Sequence, residues 1–327
     1  MRAVIINPKK NNSLEIADIQ IPEPKIDEVR MKVISAGVNR PDILQKKGLY
    51  PPPVGSSTRL GLEASGIIEK IGKNVKALKE GDKVCGLTPG GAYADSVVLP
   101  ASHCFPIPKG LDFYEAASLP ETYMTAWVNL FEHGRLSRGE RVLIHGGSSG
   151  VGTAAIQLAR WRKSSIFCTV RNKKKAIYCK SLGAEETIVY LLEDFEEKIL
   201  ECTNKLGVNV ILDMVGGEYI SKNLNCLSHR GRLVQIAFLK GSKTNLNLFQ
   251  IMLKQQIITG STLRSRSNAE KERIVNVLKQ NIWPEIESGN IKTKVHEIFK
   301  LEDAELAHKK MELSDHCGKI VLKVNEP

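Results

Sequence analysis

The chain contains 327 residues, 42% of them hydrophobic and 6% aromatic, and is long enough for two domains with substantial cores. It carries 47 Lys and Arg residues against 36 Asp and Glu residues, so its formal net charge is +11. No uncharged run approaches the ~20 residues of a membrane span, which argues against a membrane partner. The low aromatic content and the lack of a recognition motif argue against a nucleic-acid partner.

The cysteines indicate the redox compartment. Seven are scattered along the chain without a CxxC pair. An odd number without a framework predicts reduced thiols and a cytoplasmic protein. The first residues, MRAVIINPKK, lack the apolar stretch of a signal peptide, so we expect none.

Short strands are predicted in the first third of the chain, separated by Pro, Gly and Asn. They are MRAVII, EVRMKVISAGV, GIIEKIG, DKVCGL and YADSVVL. This pattern is typical of a compact, partly open β-barrel. The segment FYEAASLPETYMTAWVNLFEH follows, with apolar residues at helical spacing.

From Glu140 onward, predicted strands and helices alternate. The predicted strands are RVLIH, SIFCTV, TIVY, VNVILDMVG and RLVQIAF, and helices are predicted at GTAAIQLAR, KKKAIYCKSLG and YISKNLNCL. Alternation of this kind indicates a parallel sheet covered by helices on both faces. The tail, IFKLEDAELAHKKMELSDHCGKIVLKV, adds one helix and a strand that we expect to return to the first domain.

A glycine-serine turn follows the first of these strands. Gly147, Ser149 and Gly152 occupy the three positions of a G-x-G-x-x-G fingerprint, and Gly150 is an additional glycine. The fingerprint provides a tight turn, a close backbone approach to a pyrophosphate, and tight helix–strand packing. The helix N-terminus beyond it offers free N–H groups to an anion. Taken alone, this degenerate turn leaves the ligand open.

The end of the next strand favours a phosphorylated ribose. Arg171 lies 19 residues after Gly152, where a carboxylate would bind a free 2′-hydroxyl, and Lys173, Lys174 and Lys175 follow it. Cations are unfavourable at a helix N-terminus unless an anion lies among them. The cluster therefore predicts NADPH rather than NADH, although Lys173 and Lys174 also fit a solvated helix start.

The same turn is compatible with a second chemistry. Residues 146–150 satisfy the G-x-S-x-G nucleophile elbow with Ser148 at its centre, and Asp213 and His229 follow in the order of a hydrolase triad. A serine hydrolase is thus an alternative at this point, but it does not explain the basic cluster.

Motifs along the whole chain resemble the zinc-independent quinone oxidoreductase branch of the medium-chain dehydrogenases/reductases, which includes zeta-crystallin. The motifs are SAGVNRPDILQKKGLYPPP, GLEASGIIEKIG, GDKVCGL, GGAYADSVVLP, LPETYMTAWVNLF, VLIHGGSSGVGTAAIQLAR, NVILDMVGG, GSTLRSRS and GKIVLKV. The resemblance is strongest to the subgroup typified by the tumour-suppressor-inducible quinone oxidoreductase. It implies an α/β fold with a Rossmann doubly wound parallel sheet and a GroES-like partly open β-barrel. The implied domains are a GroES-like catalytic domain at 1–118, a Rossmann domain at 119–264, and a return to the catalytic domain at 265–327.

The zinc site of related alcohol dehydrogenases is not expected here. SAGVNRPD carries no cysteine, and Leu62 precedes Glu63 where zinc-binding relatives carry histidine. A catalytic zinc needs three protein ligands, so the loss of two abolishes the site. We interpret Glu63 as a buried structural acid, Lys319 as a residue that starts a strand, and the pairs His103–Cys104 and His316–Cys317 as ordinary loop residues.

The resemblance also implies roles for individual residues. Asn39 lies near the nicotinamide ribose or the substrate, Tyr50 donates its hydroxyl to the acceptor carbonyl, and Ser149 helps to order the active site. The nicotinamide and pyrophosphate are expected to contact Thr125, Gly147, Ser148, Ser149, Gly150, Val151, Gly152, Phe238 and Leu263. The 2′-phosphate is assigned to Lys175 and Tyr190. Arg171 departs from the small residue that relatives carry, and it either adds to phosphate binding or points into solvent.

The predicted function is hydride transfer from NADPH to a quinone or related conjugated carbonyl in the interdomain cleft. Such acceptors are already electrophilic, so that positioning and a hydrogen-bond donor suffice. An alkenal or enone reductase is the alternative enzyme, and a crystallin-like or RNA-binding role is a further one. The resemblance implies a homodimer through the Rossmann sheet edge near QQIITGSTL.

Overall fold

A computed structural model describes residues 1–327. Its strands are β1 (Arg2–Asn7), β2 (Ser13–Asp18), β3 (Glu28–Gly37), β4 (Glu63–Ile71), β5 (Lys83–Leu87), β6 (Ser96–Pro100), β7 (Cys104–Pro106), β8 (Arg141–His145), β9 (Ser165–Val170), β10 (Glu186–Val189), β11 (Val208–Asp213), β12 (Leu227–Gln235), β13 (Ile257–Gly260), β14 (Val295–Lys300) and β15 (Lys319–Lys323).

The helices are mostly short. They are α1 (Arg40–Lys46), α2 (Phe113–Ala116), α3 (Pro120–Trp127), α4 (Gly150–Trp161), α5 (Lys173–Leu182), α6 (Phe195–Cys202), α7 (Tyr219–Cys226), α8 (Phe249–Lys254), α9 (Asn268–Asn281), α10 (Trp283–Glu287) and α11 (Ala304–Glu312). A π-helical stretch at Val128–His133 continues α3, and short 3-10 turns lie at Pro8–Lys10, Ala101–His103 and Leu301–Asp303. No helix has the length and apolarity needed to cross a membrane.

The chain divides into two compact units, Met1–Met124 with Arg264–Pro327, and Thr125–Leu263. In the first unit, seven strands form a sheet of order β14-β15-β3-β4-β5-β7, in which β6 pairs with β3. All pairings are antiparallel except β14–β15, and β1 and β2 form a separate hairpin. The core of this unit is built from alternate residues of the strands, including Met31, Ile68, Leu99 and Ile320.

The second unit is a six-stranded parallel sheet of order β10-β9-β8-β11-β12-β13. The predicted parallel sheet is therefore present, with its order reversing next to β8. Ligands of such sheets bind beyond the carboxyl ends of the strands at the reversal. The glycine turn follows β8 directly, so the fold places it at this position.

Several elements depart from the sequence prediction. The helical pattern predicted over residues 113–133 is interrupted before Pro120, because proline cannot donate to the preceding turn of a helix. The strand predicted at YADSVVL begins only at Ser96. The strands β2 and β7 and the helices α9 and α10 were not predicted, although Ser267 and Glu270 form a capping box at the start of α9 and Ile274, Val275 and Leu278 are buried at helical spacing.

Candidate active site

Three glycines give the turn after β8 its shape. Gly146 has a φ of 67°, which favours glycine. A Cβ atom on Gly152 would lie 2.2 Å from the Gly146 carbonyl oxygen, and one on Gly147 would lie 2.7 Å from Cys168 Sγ. These two glycines therefore allow the turn to pack closely against the start of α4 and against β9, which is the tight helix–strand packing that the fingerprint requires.

The N-terminus of α4 offers two free donors. Ser149 is the N-cap of α4, and its Oγ accepts a hydrogen bond of 3.0 Å from the Gly152 N–H. Its backbone is extended, with a φ of −71°, so serine fits without strain where other fingerprints carry glycine. The N–H groups of Gly150 and Val151 form no hydrogen bond and are available to an anion.

The basic cluster lies at the carboxyl end of β9, next to this turn in the sheet. Asn172 caps α5, and its Oδ1 accepts a hydrogen bond of 3.0 Å from the Lys175 N–H. The Lys175 side chain is 5% exposed, whereas Arg171, Lys173 and Lys174 are exposed. Tyr190 is 39% exposed, and its N–H donates to the Val170 carbonyl oxygen, which brings it beside Arg171.

The residues predicted for the nicotinamide half lie on three other segments of the second unit. Phe238 is 53% exposed in the loop after β12, which two backbone hydrogen bonds join to residues 214 and 215 after β11. Leu263 is buried, and Thr125 on α3 is half-buried. The structure thus places these positions at or beyond the carboxyl ends of the strands or on a helix of the same unit.

In the first unit, Asn39 belongs to a buried ion-pair network. Lys319 Nζ lies 2.6 Å from Glu63 Oε1, and both side chains are almost completely buried. The Asn39 amide bridges them, because its Nδ2 donates to Glu63 Oε1 at 2.8 Å and its Oδ1 accepts from Lys319 Nζ at 2.7 Å. Every polar atom of the Asn39 side chain is therefore occupied by this pair.

Asp42, Tyr93 and His308 form a second buried group, which Asn39 joins to this network. Asp42 accepts hydrogen bonds from the backbone N–H groups of Asn39 and Gly61 and from the Tyr93 hydroxyl. The Tyr93 oxygen also lies 3.3 Å from His308 Nε2. Burial raises the pKa of Asp42 to about 6, and burial lowers the pKa of His308 to about 4.

Tyr50 is half-buried and lies against Arg264, which no sequence pattern marked as a site residue. The guanidinium carbon of Arg264 lies 5.8 Å from the centroid of the Tyr50 ring. The Glu121 N–H donates to Glu63 Oε2 at 2.9 Å. Arg264 and Glu121 stand inside the motifs GSTLRSRS and LPETYMTAWVNLF, but neither motif marks them as site residues.

The triad of the alternative hydrolase is not assembled. The Asp213 carboxylate accepts from the N–H groups of Val215 and Gly216 and from Asn223 Nδ2. His229 is exposed on β12 and makes no side-chain hydrogen bond, and Ser148 is buried. The hydrolase alternative is wrong for this geometry.

The side chains do not fit a metal site. No group of three or more His, Cys, Asp and Glu side chains has an arrangement that could hold a metal ion. His103 is buried, and its burial lowers the pKa to about 4.

Comparisons with known proteins agree with this architecture. Residues 25–109 match the family model of the alcohol dehydrogenase GroES-like domain, and residues 150–280 match that of the zinc-binding dehydrogenases. The quinone oxidoreductase of Pseudomonas aeruginosa is 32% identical over 94% of this chain and 95% of its own length. A phenolphthiocerol/phthiocerol polyketide synthase polypeptide of Mycobacterium tuberculosis is 31% identical over 99% of this chain, which spans only 15% of that relative's length.

Solved structures give the same result. The Escherichia coli quinone oxidoreductase complexed with NADPH has a TM-score of 0.86 and 29% identity, covering 99% of each chain. The CurK enoyl reductase has a TM-score of 0.84 and 27% identity, again covering 99% of each chain. The predicted α/β class with Rossmann and GroES-like parts is confirmed. The chain belongs to the medium-chain dehydrogenase/reductase superfamily, in its quinone oxidoreductase branch.

Proposed function

We propose that the chain is an NADPH-dependent reductase of quinones or related conjugated carbonyl compounds. The observation that carries the proposal is the basic end of β9, where Arg171 and Lys173–Lys175 replace the acid that would bind a free 2′-hydroxyl. It lies beside the donors at the N-terminus of α4. Similarity to a quinone oxidoreductase complexed with NADPH supports the same cofactor.

The residues fit the cofactor as follows. The Gly150 and Val151 N–H groups, within the turn that also contains Gly147, Ser148, Ser149 and Gly152, would bind the pyrophosphate. Lys175, Arg171 and Tyr190 would bind the 2′-phosphate, and Thr125, Phe238 and Leu263 would contact the nicotinamide half. When bound, the cofactor supplies the hydride.

The acceptor class follows from what the chain's side chains can provide. Leu62 stands before Glu63, so polarisation by a metal is not built into this site. Tyr50 retains a hydroxyl without a hydrogen-bond partner, and it would donate to the acceptor carbonyl. Quinones and conjugated carbonyls need only this, because they are already electrophilic.

NADPH oxidation by the purified chain tests this function. With 9,10-phenanthrenequinone, we expect NADPH absorbance at 340 nm to fall with turnover, and with 2-alkenals we expect little change. Absence of turnover with every quinone tried would contradict the proposal.

A second candidate function is reduction of an activated carbon–carbon double bond. It is favoured by the structural similarity to the CurK enoyl reductase over nearly the whole chain. The same assay separates the two functions, because faster turnover of 2-alkenals or enoyl thioesters than of quinones would support the second.

We also propose a homodimer formed through β13. This strand pairs only with β12, so its other edge is open, and Ile257 and Ile258 are 43% and 42% exposed. Four large apolar side chains of the neighbouring helical segment are also exposed: Leu248, Phe249, Met252 and Leu253. A second copy that pairs β13 with β13 would cover both features.

A reducing compartment, such as the cytoplasm, is proposed from the cysteines. All seven are free thiols, and six of them are buried.

A further inference from the structure

Arg264 is a buried cation without a counter-charge. The residue is only 8% exposed, and its guanidinium forms no ion pair. Nη1 donates to Gln45 Oε1 at 2.7 Å and Nη2 donates to the Pro89 carbonyl oxygen at 3.1 Å, but Nε has no acceptor. Because burial of an unpaired charge is unfavourable, a guanidinium in this state favours a ligand that carries or develops negative charge.

The surroundings hold this guanidinium in place. The buried Lys271 ammonium donates to the Arg264 carbonyl oxygen at 2.8 Å and fixes the backbone. Gly90 leaves room for the side chain, because a Cβ atom there would lie 3.2 Å from Arg264 Nη2. A donor fixed before the reaction needs no reorganisation when charge develops, which is the condition for electrostatic catalysis.

Tyr50 adds a second donor at the same place. Its ring lies over the Arg264 guanidinium, at 5.8 Å from centroid to carbon, and its hydroxyl has no hydrogen-bond partner. Burial and the charge of Glu121 raise the pKa of Tyr50, against the opposite effect of Arg264. The hydroxyl is therefore neutral at physiological pH and has a proton to donate to a bound acceptor.

Glu121 carries a carboxyl group whose charge acts on both Tyr50 and Arg264. Its backbone is held by Glu63, while its carboxyl group forms neither a hydrogen bond nor an ion pair. Burial, followed by the charge of Glu63, raises the pKa of Glu121 to about 8, so the carboxyl is protonated at neutral pH. The titratable groups that act on it are Glu63, Lys319, Asp42, Lys271, Tyr50 and Arg264.

We propose that Arg264 and Tyr50 bind the acceptor oxygen that becomes negatively charged during reduction, and that Glu121 protonates it. This inference rests on the proposed function. For a quinone, the acceptor gains a hydride from NADPH, which carries two electrons and one proton, and one oxygen gains the Glu121 proton. The products are NADP⁺, a hydroquinone and the Glu121 carboxylate. Where the hydride enters at a ring carbon, tautomerisation then moves a hydrogen from that carbon to the second oxygen. Water then returns a proton to Glu121.

A binding experiment without turnover tests the oxyanion site. We would titrate the NADP⁺-saturated chain with 2-hydroxy-1,4-naphthoquinone, which is an anion at neutral pH, and with neutral 1,4-naphthoquinone, using calorimetry. We expect Arg264→Gln to weaken binding of the anion by at least about tenfold and binding of the neutral quinone far less. Arg30→Gln is the matched control, since it removes an arginine with two Glu partners from the same unit, and it should leave both affinities unchanged.

Because Arg264→Gln could fail to fold, Tyr50→Phe provides a second variant. It keeps the ring over Arg264 and should weaken binding of both quinones. Equal affinities of wild type, Arg264→Gln and Tyr50→Phe for the anion, with normal quinone turnover by the wild type, would overturn this inference and leave the proposed function standing. A wild-type chain that binds neither compound and reduces no quinone would overturn both.

The pH profile tests Glu121. In the wild type, kcat for 1,4-naphthoquinone should be level below about pH 8 and fall above it, because only the neutral carboxyl can give a proton. In Glu121→Gln, kcat should be about 10²-fold lower and the break near pH 8 should disappear. Glu23→Gln removes an exposed acid and should keep the wild-type profile. A wild-type profile in Glu121→Gln would show that Glu121 is not the proton donor.

Discussion

Glu63 and Lys319 form the most deeply buried ion pair of the chain, and the pair is completed by the amide of Asn39. Glu63 follows Leu62, which stands where zinc-binding relatives carry a histidine. The charge of Glu63 is compensated here by the ammonium group of Lys319. The pair therefore gives Glu63 a structural role, as the sequence suggested, and it also connects Asn39 to the first strand residue of β15.

Removal of one partner should be costly. Lys319→Met leaves the Glu63 carboxylate buried and unpaired, and we expect the free energy of unfolding in urea to fall by about 3–5 kcal/mol. Lys323→Met, which removes an exposed ammonium from the same strand, should change it little. Glu63→Gln combined with Lys319→Met should recover part of the loss. A loss in Lys319→Met no larger than in Lys323→Met would contradict this account.

Residues close together in sequence were the ones that could be predicted. The glycine turn and the basic cluster are each contained in one short segment, and their chemistry follows from the order of the residues. Tyr50, Glu121 and Arg264 come from three segments separated by about 70 to 140 residues, and only the fold brings these groups within electrostatic reach of one another. An unpartnered Nε atom is a property of packing, which no sequence pattern records.

At the scale of elements, the two helices α4 and α5 begin beside each other at the carboxyl edge of the sheet, and each is capped by a polar residue. Ser149 caps α4 and Asn172 caps α5. Aspartate is as good an N-cap as either, so Ser149→Asp and Asn172→Asp should preserve or raise stability. Each variant places a negative charge where we propose that a phosphate binds.

The two variants should therefore differ in their effect on cofactors. Ser149→Asp should weaken NADPH and NADH alike, because both contain the pyrophosphate. Asn172→Asp should weaken NADPH more than NADH, because only NADPH carries the 2′-phosphate. Fluorescence titration with each cofactor measures the four affinities. An equal loss for both cofactors in Asn172→Asp would contradict the assignment of the 2′-phosphate to α5.

The strands of the parallel sheet were predictable because each is a short apolar run followed by a helical pattern. The first unit was harder to predict, since β7 has three residues and α10 has five, too few for a period to show. Helix α9 was missed although its signals, the capping box of Ser267 and Glu270 and a buried apolar face, were present in the sequence. The interruption of the predicted helix at Pro120 follows from proline's missing N–H group, a signal that was present in the sequence.

At the scale of the whole molecule, the open edge of β13 determines the expected assembly. Ile258→Lys places a charge on this exposed strand and should convert a dimer into a monomer in sedimentation velocity, with the folded structure retained. Ile177→Lys, at a site that is 72% exposed on α5, should leave the dimer intact. A wild-type chain that sediments as a monomer at micromolar concentration would contradict the proposed dimer.

The net charge of +11 is compatible with this account, because part of the excess lies where a dianionic phosphate is proposed to bind. Lys175→Ala should weaken the binding free energy of NADPH by about 1–3 kcal/mol and change that of NADH little. Lys174→Ala, which removes an exposed neighbour on the same helix, is the control and should lose less.

Calorimetric titration of the wild-type chain with NADPH and with NADH tests the central claim most directly. The account predicts that NADPH binds at least about tenfold more tightly, because its 2′-phosphate meets the cations that follow β9. Equal affinities, or tighter binding of NADH, would contradict it.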